Sequence, residues 1–303
     1  HQYMASSEIS TVVFLAAATG KPVLVEGPAG VGKTQLAKSV AACLDRELIR
    51  LQCYEGLDEA KSLYEWEYAK QLLYTQMVKD KIHSVIRDTP TLALAVDAIA
   101  TQEDAFFSER FIQPRPLLRA IRSETPVVLL IDEVDKSDPE FEAFLLELLS
   151  DFTVTIPEIG TCKAVTRPLV FLTSNNYRDL SDALKRRCVH LYIDYPEPER
   201  EKQILQMKLP GIEERLVNQL VAAVTKIRRL DLEKKPCISE SIDWARALTA
   251  MEADRLDRQA AADTLNMVCK HKSDLDRVRK HLDVGNRRWA QTSSGHLRGA
   301  RKP

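Results

Sequence analysis

The segment Gly27-Pro-Ala-Gly-Val-Gly32-Lys33-Thr34 constrains this chain more than any other eight residues. An apolar run, Pro22-Val-Leu-Val-Glu26, stands before it and reads as a buried strand. Thr34–Leu44 follows, with Leu36, Val40, Cys43 and Leu44 at the spacing of one helix face. A strand, a G-x-x-x-x-G-K-[ST] turn and a helix in that order form an anion cradle. Glycine reaches positive φ and brings the backbone against oxygen atoms with no Cβ in the way. Successive N–H groups then point inward as a nest, reinforced by the helix N-terminus. Gly27, Pro28, Ala29, Gly30, Val31, Gly32, Lys33, Thr34 and Gln35 are the residues expected to hold a triphosphate. Lys33 supplies a cation to the β- and γ-phosphates, and the Thr34 hydroxyl ligates Mg²⁺. The chain has only 10 glycines in 303 residues, about half the average share. Three of them sit in this turn, where a backbone must touch phosphate.

Val127-Val-Leu-Leu-Ile131 is the most apolar run and reads as a central parallel strand ending on Asp132-Glu133. Ligands of open parallel sheets collect at the carboxyl ends of strands. Asp132 is therefore expected in the Mg²⁺ shell, through water, and Glu133 as the group that polarises an attacking water. The strand Leu169–Thr173 leads to Asn175 and Asn176; Asn175 is the first choice for orienting that water and Asn176 the fallback. Arg186 and Arg187 close a short helix. They either oppose its dipole or reach a neighbouring subunit's γ-phosphate, and the residues alone leave both readings open.

Glu47–Cys53 and Val189–Tyr195 are further strand candidates, Asp58–Arg122 reads as mostly helical, and Phe152–Pro168 reads as a β-hairpin around Gly160. Tyr64, Trp66, Tyr68 and Tyr74 form an aromatic cluster expected in the core, with an interface as the alternative. Ser137-Asp-Pro-Glu140 carries a helix start with serine as cap. Strands alternating with helices imply a parallel α/β sheet with right-handed crossovers. After Pro196-Glu-Pro198, Glu199–Leu282 keeps helical periodicity, which makes residues 1–196 an α/β core and 197–284 a helical domain. The stretch 285–303 holds Arg287, Arg288, Arg298, Arg301 and Lys302 with no acid and reads as a flexible basic tail. A net charge of −1 excludes a polycation, and 45% apolar with 29% charged residues excludes a disordered chain. No apolar run approaches the ~20 residues of a membrane span, and no secretion signal opens the chain. The six cysteines make no CxxC pair, so buried reduced thiols in a cytoplasmic protein are expected.

Taken together these features resemble the AAA+ ATPases: a Walker A loop, a Walker B acid pair, a sensor-one asparagine, paired arginines and a helical lid. Their order is similar to the MoxR family, and within it to the ATPases encoded beside carbon monoxide dehydrogenase and related molybdenum hydroxylases. Leu51-Gln-Cys-Tyr-Glu-Gly-Leu57, Leu63-Tyr-Glu-Trp66, Phe144–Phe152, Ala183–Cys188 and Ile242-Asp-Trp-Ala-Arg-Ala-Leu248 carry the resemblance, which covers roughly residues 5–285. It implies a core of five parallel strands with helices on both faces, an insert in the second helix after Cys53, a hairpin at Phe152–Arg167 before sensor one, and a lid from about 197. It implies Arg186 as the arginine finger, eight residues before Asp194, with Arg187 as the alternative. The usual small-proline-arginine lid motif is replaced by Ser241-Ile-Asp-Trp, so sensor two is assigned to Arg246, one turn on. ATP and Mg²⁺ as cofactors, a ring that is usually a hexamer, von Willebrand factor A-domain partners and a metalloenzyme client follow from the same resemblance.

The leading expectation is thus an ATP-hydrolysing remodelling chaperone. A nucleic-acid motor or loader is the alternative, but Phe152–Arg167 offers only Lys163 and Arg167 against Glu158, with Asp151 just before it, too little positive charge for tracking DNA. A nucleotide-gated scaffold without turnover would have no use for Lys33, Asp132 and Glu133 together.

Overall fold

The computed structural model describes residues 3–77, 79, 91, 109–157 and 159–281. Most of the stretch 78–108, position 158 of the hairpin and the basic tail therefore lie outside the described residues. The chain divides into two compact units, one of Ala5–Glu26 with Thr34–Tyr192, the other holding Gly27–Lys33 and the chain from Ile193 onward.

The first unit is built on five parallel strands: β1 (Val23–Glu26), β2 (Leu48–Gln52), β5 (Val128–Asp132), β8 (Leu169–Ser174) and β9 (Val189–Tyr192). Their spatial order is β2-β5-β8-β1-β9, each neighbouring pair parallel. Every residue of β5 and β8 is buried, whereas the edge strands β2 and β9 alternate buried and exposed positions. That contrast is why the apolar runs belong to the centre: strands covered on both faces can be apolar throughout. Each fully buried Leu or Ile there contributes about 1.5–3 kcal/mol relative to exposure.

Helices α1 (Ser7–Thr19), α2 (Lys33–Cys43), α3 (Glu59–Leu63), α4 (Tyr68–Met77), α5 (Pro116–Arg122), α6 (Pro139–Asp151) and α7 (Asp182–Arg187) complete this unit. The face of α2 differs from the expected one. Leu36, Ala37, Ser39 and Ala41 are buried, while Cys43 and Leu44 are exposed. Leu36 is buried as expected and Val40 is half-buried, but toward the end of the helix the buried stripe passes through Ala37 and Ala41 instead of Cys43 and Leu44. Cys162 is half-buried, so four of the six thiols, not all, are buried, and all six are free.

Within the expected helical stretch 58–122 the chain forms a second, antiparallel pair, β3 (Tyr64–Trp66) with β4 (Ile112–Pro114). Trp66 and Tyr74 meet Phe111 at ring-centroid distances of 6.3 and 5.6 Å, but Tyr68 is 73% exposed. None of the four is fully buried: Tyr64 and Trp66 pack half-buried against the core, while Tyr74, 42% exposed, lies with Tyr68 at the surface. Helix α6 starts one residue later than the serine cap implied: Ser137 donates its hydroxyl to Val134 O at 2.7 Å, closing the preceding tight turn, and Asp138 takes the cap position. The hairpin consists of β6 (Thr153–Ile156) and β7 (Gly160–Lys163), with Val154 and Ile156 buried and Thr155 exposed. Strand β9 ends at Tyr192, three residues short of the expected Tyr195.

The second unit is helical: α8 (Pro198–Lys208), α9 (Glu214–Arg228), α10 (Ile238–Ala250), α11 (Arg258–Thr264) and α12 (Lys272–His281). Helix α9 buries Leu216, Val217, Leu220, Val221, Val224 and Ile227, the i, i+3, i+4, i+7 pattern of a core-facing stripe. Trp244 is fully buried among them and donates its indole N–H to Thr264 Oγ1 at 2.7 Å. No helix among the described residues is long and apolar enough to cross a membrane.

Candidate active site

The carboxyl ends of β5 and β8 bring four predicted residues together. Thr34, at the start of α2, donates its hydroxyl to Asp132 Oδ1 at 2.9 Å. Asp132 is 2% exposed and also accepts from Thr173 Oγ1 at 2.5 Å. One buried carboxylate and one hydroxyl are hard oxygen donors, too few to cage an ion alone. Among the described residues no cluster of three or more His, Cys, Asp or Glu could hold a metal. That donor set fits Mg²⁺, which usually takes one or two carboxylates and completes its shell with water and substrate phosphates.

Glu133 follows in the left-handed region, φ 58° and ψ 50°, which turns its carboxylate out of the strand. Its amide N–H donates to Thr173 Oγ1 at 2.9 Å, locking the turn to the neighbouring strand. Asn175 Nδ2 donates to Glu133 Oε1 at 3.3 Å. Lys136 Nζ pairs with Oε2 at 2.7 Å, and the neighbouring Glu133 raises the pKa of that lysine. The Glu133 side chain is 31% exposed, open enough for water to reach it. Asn176, at φ 59°, is engaged instead with Ser174, whose hydroxyl accepts from its backbone N–H at 3.1 Å.

Several functional partners escaped the sequence reading. Asp135 is buried, and its Oδ2 accepts from the backbone N–H groups of Asn175 and Tyr177 at 3.0 and 2.8 Å, fixing the asparagine turn. Arg50 and Gln52 of β2 reach Asp132 and Glu133. The cluster is strongly acidic: burial, and then the charges of Asp132, Asp135 and Glu133, push the Cys53 thiol up to about 12. Gln35 Nε2 donates to Ser39 Oγ at 3.3 Å.

The loop Gly27–Lys33, which joins β1 to α2, is described with the helical unit. Gly27 and Gly30 have φ of +144° and +77°. A Cβ on Gly27 would stand 2.0 Å from Ile193 O, and one on Gly30 would stand 2.2 Å from Cys237 Sγ, so neither position admits a side chain. Lys33 Nζ donates to Gly27 O and Pro28 O, both at 2.7 Å, so its ammonium lies over the loop backbone. Ser239 donates its hydroxyl to Gly30 O at 3.0 Å. Ser239 and Cys237 are thus the α10 groups that meet the loop, a contact no local pattern signals. Arg246 is not among them; it is exposed and pairs with Asp243 at 3.2 Å.

Arg186 and Arg187 are both exposed at the end of α7. Arg187 Nε donates to Ser150 Oγ of α6 at 2.8 Å, whereas Arg186 makes no side-chain hydrogen bond or ion pair among the described residues.

Residues 23–195 match the ATPase family associated with various cellular activities. The chain is 27% identical over 276 residues to the gas vesicle ATPase GvpN of Haloferax mediterranei, covering 88% of this chain and 71% of that protein. It is 25% identical over 243 residues to protein NorQ of Paracoccus denitrificans, covering 77% and 75%. A solved chain of the Thermotoga maritima RuvB Holliday junction branch migration motor aligns at TM-score 0.46 and 17% identity, over 86% of this chain and 66% of that one. The chain belongs to the AAA family of ATPases.

Proposed function

We propose that this ATPase remodels or matures a metalloenzyme, with a molybdenum hydroxylase of the carbon monoxide dehydrogenase kind as the client, working as a hexameric ring in the cytoplasm with a von Willebrand factor A-domain partner. The observation that carries the reading is the hydrolytic constellation itself: Glu133 held between Asn175 and Lys136, beside an Asp132 already engaged by Thr34. A site poised this way favours turnover over a binding-only scaffold. The hairpin supports remodelling over DNA tracking, since Arg167 lies 5.6 Å over the Phe152 ring.

In the proposed cycle the loop amides and Lys33 bind the phosphates of ATP. Thr34 and Asp132 would hold Mg²⁺, which when bound would neutralise charge on the phosphate oxygens. Glu133 accepts a proton from water as that oxygen attacks the γ-phosphorus and the bond to the β–γ bridging oxygen breaks. Asn175 holds Glu133 and the water in register. Arg186, which has no competing partner on its own chain among the described residues, serves the neighbouring subunit's γ-phosphate, with Arg187 second. Arg246 remains the sensor-two assignment. The division of domains follows as 1–196, 197–284 and 285–303, supported by the compact unit that takes up the chain from Ile193 onward together with Gly27–Lys33.

The test is capture with Glu133→Gln in ATP, which holds the ring in its substrate-bound form. Recovery of a metalloenzyme subunit or an A-domain protein supports the proposal. Recovery of DNA, with salt-sensitive stimulation of the wild-type ATPase by DNA, replaces it with the motor reading.

A further inference from the structure

Asp132 has more partners than a magnesium ligand requires. Oδ1 accepts from Thr34 and Thr173, while Oδ2 accepts from Arg50 Nε at 3.1 Å and Nη2 at 2.6 Å. Arg50 belongs to β2, paired in parallel with β5 so that Gln52 stands opposite Asp132. Side chains two apart on a strand share a face, so Arg50 and Gln52 emerge together. Arg50 Nη2 also donates to Gln52 Oε1 at 2.5 Å, and Gln52 Nε2 donates to Glu133 Oε2 at 3.0 Å. A continuous line of hydrogen bonds therefore runs from Asp132 through Arg50 and Gln52 to Glu133.

We propose that Arg50 is a positioning residue that competes with the divalent cation for Asp132, and that Gln52 passes the outcome to Glu133; this rests on the reading of Asp132 as a magnesium carboxylate. Guanidinium stays charged at any physiological pH and matches a carboxylate with two donors. A divalent cation drawn to the same carboxylate repels it. The Asp132 side chain is 3% exposed but that of Arg50 is 45% exposed, so the guanidinium can swing into solvent at little desolvation cost while the carboxylate stays. Once Arg50 leaves, Gln52 Oε1 loses its donor. The amide that serves Glu133 is then free to turn, and Glu133 is governed by Asn175 and Lys136. Metal arrival and orientation of the base become one event.

The test measures a fluorescent ADP analogue on the full chain, with Mg²⁺ and with EDTA, and takes the ratio of the two dissociation constants as the metal's contribution. Arg50→Ala is expected to raise that ratio at least threefold, and Arg50→Lys, which keeps charge without the fork, to fall between it and wild type. An unchanged or lowered ratio in Arg50→Ala overturns the competition. Arg50→Gln, which keeps a donor and sheds the charge, gives the same readout should the alanine variant fold poorly. Gln52→Leu, which releases Glu133 from that hold in advance, is expected to leave the ratio alone and to keep kcat at or above wild type with Mg²⁺; a severalfold loss of kcat overturns the relay. A wild-type ratio near one removes the metal reading and the proposal together, whereas a large ratio indifferent to Arg50 removes the proposal alone.

Discussion

Each unit contains a buried carboxylate paired with an arginine, and the two pairs are built to opposite ends. In the helical unit Glu201 is fully buried, accepts from Nη1 and Nη2 of Arg228 at 2.6 and 2.9 Å, and accepts from Ser241 Oγ at 2.6 Å. Arg228 is itself only 12% exposed, donates to Pro236 O at 2.8 Å and lies 5.1 Å over the Tyr195 ring. Nothing in that network can leave without stranding a charge. In the sheet unit the carboxylate is as deeply buried, but its arginine is half in water and its other partners are hydroxyls. The difference separates a structural lock from an exchangeable contact, and it lies in the exposure of the arginine rather than in the distance between the charges.

The largest effect expected on this comparison is catalytic. Glu133→Gln lowers ATP turnover by about 10²–10⁴-fold, the usual contribution of a positioned base, while leaving the unfolding midpoint where it was; phosphate-release assays and thermal melts check the pair of outcomes. Next comes the lock. Arg228→Ala leaves Glu201 buried and uncompensated and costs about 3–5 kcal/mol of stability by urea denaturation. Arg50→Ala costs less, because solvent already screens that arginine; equal losses would erase the distinction between the pairs.

Alkaline pH sharpens it further. The Cys53 and Cys188 thiols of the sheet unit are pushed up to about 12 by burial first, and Cys269 of the helical unit to about 11, against an ordinary 9.0. The folded chain keeps these protons where the unfolded chain has lost them. Stability is therefore intact below pH 9 and falls as pH rises, by about 1.4 kcal/mol per unit for Cys53, until about pH 12. Cys53→Ala flattens that slope in denaturation curves taken across the window. The smallest effect belongs to Arg246→Ala, whose exposed pair with Asp243 contributes about 0.5 kcal/mol or less; a larger loss in the same assay would give the surface of the helical unit the weight of its lock.

Strands β1, β5 and β8 and the polar residues at their ends were legible in the sequence because burial on both faces writes an apolar run and its polar terminus in adjacent letters. The groups that tune the site were not. Arg50 and Gln52 meet Asp132 and Glu133 only through the parallel register of β2 on β5. Thr173 reads locally as the end of an apolar strand, yet its hydroxyl serves Asp132 and accepts from the Glu133 amide. Asp135 looks like a third acid after the pair and instead holds the Asn175 turn. Cys237 and Ser239 carry no phosphate-binding signature; their meeting with Gly30 is a fact of three-dimensional packing. Periodicity also misjudged the end of α2, where Ala41 is buried instead of Cys43 and Leu44.

The backbone at Glu133 sits in the left-handed region, where a residue bearing a Cβ costs roughly 1–2 kcal/mol that glycine does not. Thermodynamics thus favours, at this one position, the replacement that abolishes the base. A chain with glycine there would be sturdier and would keep its fold and its loop, while losing the carboxylate assigned to the attacking water.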